Sequence, residues 1–271
     1  MKDNLMKTID LKGKRALVTG GSVGIGAEIC KQLASCGADV FINYFSNKEI
    51  AEKLVENIEQ EYGVKAACAF ANVADSKQVA DMFKSIDKVF GGIDILINNA
   101  GSESISHVLD LEEAEWDRVL NINLKGPFLC SKQAALRMEN NGGGVIINIS
   151  SIHDVVPRKG LIHYCSAKAG LKMFSKCLSI ELADKNIRVV SIAPGAIETN
   201  MNRAEIKKFG KEKFENWIPQ GRLGEVSDVA NTVVFMASDL ASYINGTDIY
   251  IDGAYMNNTI QYDPRPERKN K

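Results

Sequence analysis

The chain alternates short, nearly continuous apolar runs with longer segments whose apolar residues recur three or four apart. The first apolar run, Lys14–Thr19 (KRALVT), is followed at once by GGSVGIG and by AEICKQLASCG, which has helical spacing. ADVFIN (38–43) predicts a strand, 47–63 a helix, 65–70 a strand, and 75–91 a helix capped by Asp75. IDILIN (93–98) is a fourth strand, running into NNAG. The segment 111–140 predicts one long helix, bent near Gly126-Pro127 because proline removes a backbone donor. GVIINIS is a fifth strand, HYCSAKAGLKMFSKCLSIELA a helix, and IRVVSIA (187–193) a sixth strand closed by Pro194-Gly195. A polar, lid-like segment (198–222) and a helix over 226–238 lead to a last strand, TDIYID (247–252). Strands apolar on both sides and alternating with helices predict a parallel sheet covered on both faces. The expectation is one doubly wound α/β domain over 8–255, with an N-terminal arm (1–7) and a polar C-terminal tail (256–271).

Composition narrows the partners. In 271 residues, 45% are hydrophobic and 25% charged, which suits one domain with a proper core. A formal charge of -1 and no basic cluster in the body argue against nucleic acid or an anionic membrane surface. No apolar run is long enough to span a membrane, and MKDNLMKTIDLKGKR lacks an apolar secretion core. The six cysteines have no CxxC spacing and read as reduced thiols, so a cytoplasmic protein is expected. His107 and His163 have no partners at metal-ligand spacing, and no metal is expected.

The chemistry concentrates in Ser150–Gly170. Tyr164 and Lys168 are four apart and project from one helical face. A tyrosine titrates near pH ~10, so moving it toward ~7 takes roughly 4 kcal/mol, part of which an adjacent ammonium supplies. Ser151, thirteen residues before Tyr164, ends a strand-like run and is placed to bond a substrate oxygen. A phenol beside an amine and a hydroxyl is a proton-transfer site for an alcohol/carbonyl pair. Upstream, strand, glycine loop and helix in that order make a dinucleotide phosphate site around Gly20, Ser22, Val23, Gly24, Ile25 and Gly26.

Taken together, Thr19-Gly20-x-x-x-Gly24-Ile25-Gly26, Asn98-Asn99-Ala100-Gly101, Asn123, Ser151, Tyr164-x-x-x-Lys168 and Pro194-Gly195 resemble, in order and spacing, the short-chain dehydrogenase/reductase family. The resemblance implies a seven-stranded Rossmann sheet of order 3-2-1-4-5-6-7, a homotetramer, and hydride transfer between a nicotinamide and an alcohol or carbonyl carbon. It casts Tyr164 as general acid/base, with Lys168 depressing its pKa and holding the nicotinamide ribose. Ser151 orients the substrate oxygen, with Ser150 as its rival, and Asn123, with Asn121 as its decoy, holds a proton-relay water. Asn99, Ala100 and Gly101 approach the adenosine side; Pro194, Gly195 and Ile197 meet the nicotinamide carboxamide, and Thr199 the pyrophosphate.

Two positions depart from the family pattern. The second strand ends Ile42-Asn43-Tyr44-Phe45, without the acid that bonds the ribose 2'-hydroxyl of NAD. Val23 and Phe45 stand where NADP members carry a cation, leaving Lys48 as the nearest one. Absence of the acid removes repulsion of the 2'-phosphate, so the expectation leans to NADP over NAD, with dual use open. Asn72 stands before Val73 where an aspartate is more usual, and its amide can still bond the adenine amino group.

For the substrate, Glu103, His153 and Asn202 resemble positions of the bacterial glucose 1-dehydrogenase members, whose pattern SSIHDVVP approaches. A carboxylate, an imidazole and an amide around Ser151 and Tyr164 suit sugar hydroxyls, so a polyol or aldose is the expected small-molecule substrate. The rivals are 3-oxoacyl-carrier-protein reduction, which needs a basic docking surface such as Arg158 and Lys159, and hydroxysteroid oxidation under an apolar lid (Ile206, Phe209, Phe214, Trp217). A dinucleotide-sensing binding protein is the non-enzyme alternative; it has no need of Ser151 or a perturbed tyrosine.

Overall fold

The computed structural model describes residues 9–199 and 203–258, apart from the side chains of 204, 205 and 209. Seven strands form one parallel sheet: β1 Arg15–Val18, β2 Asp39–Tyr44, β3 Ala66–Phe70, β4 Ile95–Asn98, β5 Gly144–Ile149, β6 Ile187–Pro194 and β7 Asp248–Ile251. Their order is β3-β2-β1-β4-β5-β6-β7, as the resemblance implied.

The apolar runs lie where a two-residue period puts them. Ala16, Val18, Val40, Ile42, Ile95, Ile97, Val145, Ile147, Val190 and Ile192 pack on one face of the sheet, against Ile29 and Leu33 of α1 (Gly24–Ser35). The alternate residues Leu17, Phe41, Leu96, Ile146 and Val189 pack on the other, against Met82 and Phe83. Each buried Val, Ile, Leu or Phe among them contributes about 1.5–3 kcal/mol. Among the helices that cover these faces are α2 Lys48–Tyr62 and α3 Ser76–Phe90. On α3, Asp75 accepts from the backbone N–H of Lys77 and Gln78, the predicted cap.

The predicted helix over 111–140 is divided. α4 (Glu113–Leu120) and α5 (Gly126–Asn140) flank a π turn, Asn121–Lys125, in which Gly126 N–H donates to the Asn121 carbonyl. The break therefore precedes Gly126-Pro127 and centres on the asparagines. α6 (Ile162–Glu181) carries the tyrosine, and α9 (Val226–Ala237) packs on α1. The segment expected as a polar lid holds two short helices, α7 (Arg203–Phe209) and α8 (Lys211–Trp217). Ile206, Ile218 and Leu223 give it a small core of its own, with Phe214 against it. No described helix is long and apolar enough to cross a membrane. The arm 1–7, most of the tail, Asn202 and the Phe209 side chain lie outside the described residues.

Candidate active site

β1 pairs with β2 on one side and β4 on the other, so the chain order reverses there and the loops after β1 and β4 part. The glycine loop crosses this crevice. Gly24 has φ 56°, a left-handed conformation, and opens α1. Gly26 serves a different end: a Cβ there would run into the Gly20 carbonyl oxygen and Asn99 Nδ2. Val23, the N-cap of α1, makes no side-chain cap bond and the first turn holds no acid, so its N–H groups and positive dipole end suit a pyrophosphate.

Asparagines brace this loop from behind. Asn99 Nδ2 donates to the carbonyls of Thr19 and Gly20, both at 3.0 Å, and Asn43 Oδ1 accepts from Gly20 N–H at 3.2 Å. Asn43 is buried and its Nδ2 donates to the Ala71 carbonyl. It is a strap between strand and loop, with its polar atoms spent inside the chain. Tyr44 and Ser22 are buried as well, whereas Val23 and Phe45 are exposed, and Phe45 stacks on Phe70 with centroids 5.7 Å apart. Asn72 Oδ1 accepts from Ala74 N–H, and Val73 is buried beside it. Lys48 is paired with Glu52 at 3.2 Å, one helical turn on.

The four candidate catalytic residues come from three places in the chain, the π turn, the turn after β5 and α6, and meet. The Asn123 side chain, wholly buried in the π turn, donates to the Ser102 carbonyl at 2.6 Å and the Val119 carbonyl at 2.9 Å. A Cβ at Gly101 would stand 3.0 Å from Asn123 Oδ1 and 3.9 Å from Lys168 Nζ, so this glycine keeps the space between them open. Lys168, also buried, donates to the Ile149 carbonyl at 2.9 Å and sits 5.5 Å from the Tyr164 ring centre. Ser151, two residues beyond β5 and still extended, bonds the Tyr164 hydroxyl and accepts from His153 N–H at 3.2 Å. Its rival Ser150 is turned to Asp154, 3.0 Å away, which leaves Ser151 as the serine that faces the tyrosine.

One expected effect is reversed. Burial, then the charge of Glu103, push the Tyr164 phenol above its usual range, and only the Ser151 bond pulls it back. Burial also draws the Lys168 ammonium down to about 8, against the opposing pull of Asp154 and Glu103. In the protein alone the burial of the phenol therefore outweighs any help from the adjacent ammonium, and the phenol is protonated at neutral pH.

Of the expected substrate residues, the structure brings two to the tyrosine. His153 packs its ring edge-on to Tyr164, with centroids 6.4 Å apart, and its Nδ1 is 2.8 Å from the Val156 carbonyl. As a carbonyl only accepts, that contact puts a proton on Nδ1. Glu103 is close enough to raise Tyr164, Lys168 and His163 together. Pro194 closes β6, while Gly195 bonds the Ile251 carbonyl and packs on Asp252. Ile197 is buried and pairs with Gly224, and Thr199 is half-buried.

Two polar groups escaped the sequence reading. Ser104 bonds both the buried His163 and Glu115, and Glu115 chelates Arg118, which bonds Ser102. This chain ties the loop of Glu103 to α4. The second joins Asp154, Tyr250 and Lys172. Only Lys172, one turn beyond Lys168, left a trace in the sequence. Among the described residues, no cluster of three or more His, Cys, Asp or Glu is placed to hold a metal.

Comparison with known proteins extends the picture. A family model described as enoyl-(acyl carrier protein) reductase matches residues 20–256. The chain is 42% identical over 240 residues to the 3-oxoacyl-acyl-carrier-protein reductase of Staphylococcus aureus, covering 89% of this chain and 97% of that one. It is 40% identical over 249 residues to 3beta-hydroxysteroid dehydrogenase 1 of Eggerthella lenta, covering 90% and 94%. A gluconate 5-dehydrogenase from Burkholderia cenocepacia, solved with NADP and tartrate, superposes with a TM-score of 0.87 at 32% identity, covering 92% and 97%.

Proposed function

Because the chain belongs to the short-chain dehydrogenase/reductase family, and is an NAD(P)-dependent oxidoreductase acting on CH–OH groups, we propose that its substrate is a hydroxyl-rich alcohol of the aldose or polyol type. The observation that carries this is the His153 ring packed edge-on to Tyr164, with the charge of Glu103 reaching the same phenol. A carboxylate and an imidazole in the neighbourhood of the phenol suit a substrate that carries several hydroxyls. Asn202 would add an amide to the same set.

The nicotinamide supplies the hydride acceptor for oxidation and the donor for reduction. Tyr164 takes the alcohol proton, and Ser151 holds the oxygen and balances its developing charge. Lys168 supports the phenolate and binds the ribose, and Asn123 passes the proton outward through a held water. The free end of α1, Gly20, Ser22, Val23, Gly24, Ile25 and Gly26 would hold the pyrophosphate, with Thr199 near it; Ala100, Gly101, Asn72 and Val73 would line the adenosine; Pro194, Gly195 and Ile197 would meet the carboxamide end. With no acid after β2, NADP is preferred to NAD, and the solved gluconate 5-dehydrogenase with NADP agrees with that lean. The working assembly is a homotetramer.

Reduction of a 3-oxoacyl thioester is the second reading, favoured by the 42% identity to the staphylococcal reductase. Its docking surface would include the exposed Lys159. Reduced-nicotinamide absorbance decides between them, with glucose, other aldoses, a hydroxysteroid and, in reverse, an acetoacetyl thioester, each with NAD and NADP. Tyr164→Phe serves as the blank. Turnover confined to aldoses supports the sugar reading; thioester reduction with silence on sugars discards it.

A further inference from the structure

The turn after β5 carries more than Ser151. Ser150 and Ser151 are successive residues leaving a strand, so their side chains point to opposite sides. Ser151 meets Tyr164, and Ser150 Oγ donates to Asp154 Oδ2 at 3.0 Å. The Asp154 side chain has 0% exposure, and its other oxygen accepts from the Tyr250 hydroxyl of β7 at 2.9 Å. Tyr250 in turn accepts from Lys172 Nζ of α6 at 2.6 Å, and that ammonium stands 3.9 Å from Asp154 Oδ1. A carboxylate removed from water is costly unless it is compensated, and here the turn after β5 and β7 each supply a hydrogen-bond donor while α6 supplies a nearby ammonium.

We propose that Asp154 is a positioning residue for the reaction: through Ser150, Tyr250 and Lys172 it fixes the turn bearing Ser151 and His153 against the helix bearing Tyr164 and Lys168. The proposal rests on the oxidoreductase reading above. Lys172 is one helical turn from Lys168 and two from Tyr164, so the same helix that presents the acid/base is held to the turn that presents the serine. Displacements of about 1 Å between such groups cost on the order of 10²-fold in rate.

The carboxylate also acts by its charge. The charged and titratable groups facing it are Lys172, Lys168 and Tyr164 from α6, and Asp248 and Tyr250 from β7. Its negative charge favours the Lys168 ammonium and disfavours the Tyr164 phenolate. A neutral residue at 154 therefore lets Tyr164 ionise at lower pH, an effect a purely structural splint would not have.

The test compares wild type with Asp154→Asn and Tyr250→Phe in three measurements. These are kcat and KM across pH, binding of reduced dinucleotide by its fluorescence, and ionisation of Tyr164 by ultraviolet difference absorbance against Tyr164→Phe. Asp154→Asn is expected to lower kcat by about tenfold or more, leave dinucleotide affinity within about twofold, and move both the tyrosine titration and the acid limb of oxidation to lower pH. Tyr250→Phe, which keeps the charge, is expected to lower kcat less and leave the titration in place. Wild-type kcat with an unmoved titration in Asp154→Asn overturns the proposal, as does equal loss of kcat and dinucleotide binding. If Asp154→Asn does not fold, wild-type kcat in Tyr250→Phe overturns it. If the wild type oxidises no alcohol and reduces no carbonyl, the substrate reading fails, while the tyrosine titration still decides the role of Asp154.

Discussion

Lys168 donates to the Ile149 carbonyl at 2.9 Å while its Nζ stands 5.5 Å from the centre of the Tyr164 ring. One of its three protons is therefore committed to the end of β5, which aims the remaining two toward the space that Gly101 keeps open. Lys168→Met removes that anchor, a cofactor contact and the support of the phenolate together. A kcat loss of about 10²–10⁴-fold is expected, with weaker dinucleotide binding. Steady-state rates and fluorescence titration check this; unaltered dinucleotide binding would remove the ribose from the roles of Lys168.

The direction of the Tyr164 shift predicts opposite pH responses for the two reactions. Oxidation needs the phenolate, and a pKa raised above the ordinary 10.0 makes that form scarce at neutral pH. Its rate should climb steadily into the alkaline range, while reduction, which uses the protonated phenol, should be near full rate at neutral pH. Initial rates in both directions across pH test this, and an oxidation rate already flat at neutrality contradicts it.

Cofactor choice should answer to a residue that never touches the cofactor. Lys48, the nearest cation to the end of β2, is paired with Glu52 at 3.2 Å. Glu52→Gln releases it for a 2'-phosphate. Both groups are well exposed, so a shift of about two- to fivefold in the NADP/NAD ratio of kcat/KM is expected, and it should fade at high salt. A ratio independent of residue 52 would mean that Lys48 is only a solvated residue of α2.

Glu115 should mark the acid limit of the loop that carries Glu103. Its bonds from Arg118, then Ser104, bring its carboxyl from the ordinary 4.5 down to about 2. A depressed pKa contributes stability above the unfolded value that is lost as pH falls through the folded one. Wild type should thus melt above Glu115→Gln at neutral pH. The gap should narrow below about pH 4.5 and close near pH 2 in thermal scans. A gap that does not change with pH would assign the difference to packing.

The sheet was legible because parallel strands buried on both faces are written as unbroken apolar runs, and Val40-Phe41-Ile42 sends alternate residues to two cores. Gly24, Tyr164 and Lys168 were legible because their partners lie within a turn or two of sequence. Burial was not. The lysine beside Tyr164 can be read from spacing, but the desolvation that outweighs it belongs to the assembled site. Tyr250 is 96 residues from Asp154, and no local pattern reports a bond across that span. The role of Asn43 was blurred for the same reason: a position at the end of β2 looks like a ligand contact until its amide is found donating to the Ala71 carbonyl.

The π turn at Asn121–Lys125 has a consequence for the history of the fold. A π turn is an α-helix into which one residue has been wound, and such turns recur at functional sites. The extra residue rotates α4 by roughly a quarter-turn relative to α5. That rotation lets Asn123 reach Ser102 and Val119 while α5 keeps its seat on the sheet. Loss of a single codon within this stretch would return the helix to ordinary pitch without disturbing the sheet. Such a deletion would draw Asn123 away from the Ser102 and Val119 carbonyls, so a change of one residue in length reaches the site directly.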